Sequence, residues 1–184
     1  MEVRVSSKSS RPTGAAIEAA IAGDKWAKAR GLIERALQVE PNSHWLMTRL
    51  ALTYYEQFDY ARALEYSKKA LLLEPDCPLV QWDYAGALEM LDRPQEAIKM
   101  FDGILRRDVD SLANDACGEG RRRARGLRAD ALYRVAKCHE TLGNRKKAAA
   151  FVKQSLSERG PGCESIYPIS EVRRFQGRLT GSRS

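Results

Sequence analysis

The sequence predicts an all-α solenoid of antiparallel helix pairs, and three observations support that class. Ala29, Ala63 and Ala97 are spaced by 34 residues, and so are Ile33, Ser67 and Phe101. The segments Ala36-Leu37-Gln38-Val39-Glu40-Pro41 and Ala70-Leu71-Leu72-Leu73-Glu74-Pro75 end alike, again 34 residues apart. Within a unit, apolar residues fall at intervals of three and four, as in Leu46, Leu50, Tyr54 and in Ala63, Tyr66, Ala70, which is helical spacing. One helix pair cannot bury its own apolar face, so a period of this length implies stacked neighbours.

The first pair, residues 10–43, is defined mainly by its second helix, through Ala29, Ile33, Ala36 and Pro41. Residues 44–77 are the clearest copy, carrying Leu50, Ala51, Tyr54, Ala63, Ala70 and Pro75. Residues 78–111 continue the pattern through Ala85, Ala97 and Phe101. A fourth copy, 129–162, contains Leu132, Ala136, Gly143, Ala148 and Val152, offset by 51 from the third, so that 112–128 reads as an insertion. The alanines let helices approach closely. Pro41 and Pro75 stop helices, Pro94 suits a first helical turn, and Asp59 and Asn144 are placed to cap second helices with their side-chain oxygens. Residues 1–9 read as a flexible N-terminal arm and 163–184 as a capping segment with a basic tail. There Pro168 to Phe175 form a short final helix over the last repeat's apolar face, and Gly177 to Ser184 form a disordered tail.

These positions resemble the tetratricopeptide-repeat family over about three quarters of the chain. Two departures are Ser67, where an aromatic is usual, and His139, where Tyr is common. The resemblance implies a right-handed superhelix of about four repeats whose first helices line a concave groove. It also implies a non-enzymatic scaffold or adaptor that binds a peptide or helix of a protein partner. On this alignment the groove positions are Trp45, Arg49, Leu52 and Tyr55 in the second repeat, Trp82, Asp83 and Glu89 in the third, and Tyr133, Arg134 and Lys137 in the fourth. Trp, Tyr and Arg are the residue types that most often carry binding energy. Packing between repeats is an equal alternative for Trp45 and Trp82, and Arg49, Asp83 and Arg134 could simply pair with one another. The Lys/Asn/Arg clamp by which some relatives hold a C-terminal carboxylate is not matched, because Gly14, Glu18, Leu79 and Asp83 stand at the corresponding positions.

Net charge is +7, distributed as +2 in residues 1–14, +3 in 112–128, +3 in 159–184 and −1 in the remainder. Arg121, Arg122, Arg123, Arg125 and Arg128 form the densest run, behind Gly118 and Gly120. The run suits a phosphate, a nucleic acid, an acidic partner or a localisation signal. The alternative is a solvated helix start, whose cations oppose the helix dipole. No aromatic residue interleaves with the arginines, which argues against base stacking and makes nucleic acid the weaker partner. Self-association is a third functional class, since exposed end repeats can stack on copies of themselves.

Other classes find little support. No apolar stretch approaches the roughly 20 residues of a membrane span. Residues 1–14 lack the apolar block of a secretory signal. Cys77, Cys117, Cys138 and Cys163 are far apart and form no CxxC pair, so reduced thiols in the cytoplasm are expected and no metal site. His44 and His139 belong to no catalytic motif, and His139 falls on a packing position as a satisfied buried histidine. Cys138 adjoins it but points about 100° away around a helix. No phosphate-cradling loop or dinucleotide fingerprint occurs, and neither an enzyme nor a cofactor is expected.

Overall fold

A computed structural model describes residues 11–181. The expected arm, 1–9, and the last tail residues, 182–184, lie outside the described residues. Ten helices and no strand are found among the described residues: α1 (Arg11–Ala22), α2 (Trp26–Val39), α3 (His44–Tyr55), α4 (Tyr60–Leu73), α5 (Pro78–Met90), α6 (Pro94–Leu105), α7 (Val109–Ala113), α8 (Arg121–Thr141), α9 (Arg145–Glu158) and α10 (Ile169–Thr180). The chain divides into two compact units, one up to Leu91 and one from Asp92. No helix among the described residues is long and apolar enough to cross a membrane.

The repeated small positions are where second helices touch their neighbours. Ala29, Ala63, Ala97 and Ala148 are all buried, as are Ile33, Ser67, Phe101 and Val152 one turn further on. The turns recur as well. Asp24, Phe58, Asp92 and Gly143 all have positive φ, between 54° and 73°, at matching places between the two helices of a pair. This left-handed conformation reverses the chain in a few residues and costs a non-glycine residue about 1–2 kcal/mol.

In the first unit α3 is central, contacting α2, α4 and α5. Ile17, Ile33, Leu46 and Leu50 form its core, with Trp45, Tyr54 and Tyr66 packed around them. Each such aliphatic side chain contributes about 1.5–3 kcal/mol on burial. Tyr54 stacks on Tyr66 with centroids 5.5 Å apart. Ser43 caps α3 by accepting from the Leu46 N–H at 3.4 Å, and Asp59 caps α4 by accepting from the Arg62 N–H at 3.1 Å. Pro78 takes the first turn of α5, where its missing N–H removes no helical bond.

In the second unit α8 is central, contacted by α6, α7 and α9, while α10 packs on α9. Tyr133, Ala136, Ala148, Val152, Val172, Phe175 and Leu179 make one core from α8, α9 and α10. Two expectations are corrected here. Asn144 precedes α9 at its N-cap position, but its side chain makes no capping bond. Gly177 to Thr180 are not tail but the last turn of α10, because Leu179 is buried and Arg145 donates to the carbonyls of Arg178 and Leu179, both at 3.0 Å. Those carbonyls would otherwise lack helical partners.

Candidate functional site

The expected groove residues of the first unit lie on α3 and α5, which pack side by side. Trp45, Arg49, Leu52 and Tyr55 on α3, and Trp82, Asp83 and Glu89 on α5, are all half-buried. Their neighbours Leu46, Leu50, Ala51, Ala85, Ala87 and Leu88 are buried. The half-buried set therefore borders the core and reaches solvent. Arg49 is fixed from two directions: its Nε donates to Glu18 of α1 at 2.6 Å, and its guanidinium lies 5.4 Å from the Trp45 ring centre. Tyr55 meets Tyr60 edge-on at 5.2 Å. Burial pushes the Tyr60 phenol above its ordinary value, so it stays neutral.

The fourth-repeat residues behave differently. Tyr133 and Arg134, expected to face an open groove, are only 3% and 4% exposed. Tyr133 is covered by the C-terminal segment: Tyr167 and Phe175 meet its ring edge-on at 5.0 and 5.4 Å, and its hydroxyl donates to Glu171 at 2.9 Å. Burial, with the Glu171 carboxylate beside it, drives the phenol far upward in pKa. The Arg134 guanidinium lies 5.3 Å from the Phe101 ring centre. Lys137 remains half-buried at the edge of the same ring cluster, 6.0 Å from Tyr133.

The arginine run begins α8, after Gly120 with a φ of 86°. Four of its five members meet carboxylates of their own unit. Arg121 pairs with Asp110, Arg122 with Glu164 at 3.1 Å, Arg123 with Glu119 at 3.1 Å, and Arg128 with Glu158 at 2.8 Å. These pairs relieve the repulsion of cations gathered at a helix start, and the exposed ones contribute about 0–1 kcal/mol each.

Sequence reasoning passed over the strongest polar cluster of this unit. Asp130 and Arg159 form an ion pair at 2.8 Å with side chains 3% and 6% exposed. The Ile166 N–H donates to Asp130 at 2.8 Å, the Ser165 hydroxyl also donates to Asp130, and Arg159 donates to the Tyr167 carbonyl at 2.7 Å. Burial pushes the Asp130 carboxyl upward, while Ser165, Ile166 and Arg159 pull it back. The cluster ties the segment after α9 to α8. Gly126 allows that approach, since a Cβ there would overlap the Glu164 carbonyl. A glycine inside a helical pattern was the available signal.

His139 is buried, at 8% exposure, and stacks on Phe151 at 5.3 Å, but its Nδ1 has no hydrogen-bond partner among the described residues. The expectation of a satisfied histidine is therefore corrected. The packing site accommodates the ring, and no donor or acceptor on the facing elements reaches that nitrogen.

No curated protein matches the chain in sequence. Among solved structures, the crystal structure of MamA is similar with a TM-score of 0.66 at 18% identity, covering 90% of this chain and 82% of that one. A MamA RS-1 double mutant reaches 0.70 at 12% identity, covering 93% and 83%. The crystal structure of PilW, described as a widely conserved type IV pilus biogenesis factor, reaches 0.69 at 20% identity, covering 97% and 73%. At these identities the likeness shows the fold, a helical solenoid. Two tetratricopeptide-repeat models match residues 54–119 and 129–159, together about half of the chain. With its 34-residue period and its buried alanines, the chain belongs to the tetratricopeptide-repeat family.

Proposed function

We propose that the chain is a non-enzymatic protein-interaction scaffold that receives a partner's peptide or helix on the first-helix face of its first unit. The observation that carries this reading is the half-buried row Trp45, Arg49, Leu52, Tyr55, Trp82, Asp83 and Glu89 on two adjacent helices. Aromatic and aliphatic side chains supply contact area, and the charges bordering them supply orientation. Arg49 is held by Glu18 and Trp45 before any ligand arrives, and preorganisation of that kind lowers the entropy cost of binding. This reading leaves out the fourth-repeat residues Tyr133 and Arg134, which are buried within their own unit.

The test is affinity capture from native lysate with the intact chain, Trp82→Ala and Arg49→Glu, with and without nuclease. A protein captured by the intact chain and lost, by tenfold or more, with both variants supports the face, provided both keep their helical circular dichroism. Capture retained by both variants counts against it. A nucleic-acid role through Arg121 to Arg128 is the weaker reading, because four of these five cations are already matched by carboxylates. Capture abolished by nuclease would revive it.

A further inference from the structure

The second unit carries an open surface hollow of about 500 Å³ lined by Leu105, Arg106, Arg107, Asp108, Val109, Arg125, Arg128 and Glu158. Its size falls within the range of about 300–1,000 Å³ usual for ligand clefts. Three stretches of chain build it: the end of α6 through the link to the first residue of α7, the second and third turns of α8, and the last residue of α9.

The charges in this lining are not equivalent. Arg128 is committed to structure: its Nη1 donates to the carbonyls of Leu105 and Arg107, and its Nε and Nη2 donate to Glu158 at 3.1 and 2.8 Å. It thereby satisfies the carbonyl of the last residue of α6 and one in the link that follows. Arg107 is committed too, to Ser111 at 3.2 Å and to Asp115 at 2.7 Å. Both acids are spent. Glu158 holds Arg128, and Asp108 caps α7 by accepting from the Ser111 N–H at 2.7 Å. Arg106 and Arg125 are exposed, and neither forms an ion pair with an acid among the described residues. Two guanidinium forks thus border a hollow whose own carboxylates are occupied, with Leu105 and Val109 as its apolar lining.

We propose that this open hollow binds an acidic peptide segment of a partner protein, with Arg106 and Arg125 as its two carboxylate-recognising residues. Guanidinium forks match carboxylates in a bidentate manner. Leu105 and Val109 suit the aliphatic stems and apolar neighbours of glutamates. No aromatic side chain lines the hollow, so it has no platform for a nucleobase. The site shares no residue with the α3 and α5 face and stands or falls without it.

The experiment measures fluorescence anisotropy of three labelled probes against the full chain: a peptide of alternating glutamate and leucine, its glutamine counterpart, and a mixed single-stranded oligonucleotide of equal length. Two double variants carry the same loss of charge, Arg106→Gln/Arg125→Gln and Arg121→Gln/Arg123→Gln. The acidic peptide should bind the intact chain, the glutamine peptide should not, and the Arg106/Arg125 variant should lose about tenfold or more in affinity. The Arg121/Arg123 variant should bind nearly as well as the intact chain. Equal loss in both variants would overturn the proposal in favour of diffuse charge attraction. Failure of the acidic peptide to bind, or preference for the oligonucleotide, would also overturn it. Arg106 and Arg125 are exposed, and helical circular dichroism with a thermal melt identifies any variant that has not folded.

Discussion

His139 carries a consequence for pH. Burial, then the charge of Lys147, holds its imidazole below the ordinary value of 6.5, while Asp102 pulls weakly the other way. In the unfolded chain the ring takes up a proton as pH falls through about 6.5. In the folded chain it does so only at lower pH, so stability is intact above that value and is lost progressively below it. Thermal melts at about pH 7.5 and pH 5.5 should show a lower midpoint in acid, and His139→Tyr should flatten the difference. An unchanged slope would exclude His139 as its source. The burial of this residue was legible in its place within the repeat. The orphaned Nδ1 was not, because hydrogen-bond partners come from helices that sequence does not place to within an ångström. The arginine pairs divide in the same way. Glu119 stands four residues before Arg123, a local spacing that can be read. The partners of Arg121, Arg122 and Arg128 come from other elements, as Asp110, Glu164 and Glu158.

At the level of elements, the segment between α9 and α10 is held by two dissimilar devices. One is the Asp130–Arg159–Ser165 cluster, and the other is the bare backbone of Gly126 under Glu164. Gly126→Ala forces a Cβ into backbone that cannot swing aside, so the segment must move. We expect a loss of about 1–3 kcal/mol in stability and faster amide exchange from Glu164 to Tyr167, read by hydrogen–deuterium exchange. Unchanged exchange there would show that the approach is not required. The helix pairs themselves were legible, because Ala29, Ala63, Ala97 and Ala148 mark contacts that every repeat must make. The fate of Tyr133 was not legible. It rests at a position where a repeat alignment implies exposure, and only the docking of Tyr167 and Phe175 from a non-repeating segment reverses that. In the turns, Gly143 announces a positive φ, whereas Asp24, Phe58 and Asp92 adopt it under the demand of the helix pairs they join.

Across the whole molecule, charge divides more sharply than repeat boundaries suggest. Residues up to Leu91 carry 11 basic and 12 acidic side chains, and those from Asp92 carry 20 and 12. The formal balance is therefore −1 in one unit and +8 in the other. Attraction of acidic chains to the second unit should weaken steeply with salt, whereas contact with the aromatic face of the first should not. Titrations at low and at physiological ionic strength, about 0.15 M, test this. Parallel salt dependence of both binding events would mean that one surface serves both. The basic excess was legible as a sum and as a distribution along the chain. Its division between committed and spare cations required the fold. Finally, α10 bears on assembly. Val172, Phe175 and Leu179 occupy the apolar surface that a further repeat would need on α8 and α9. A growing stack of copies requires two complementary sticky ends, and here one is already filled by the chain itself. Self-association through a different surface, used face to face, would close at a dimer instead of propagating as a filament.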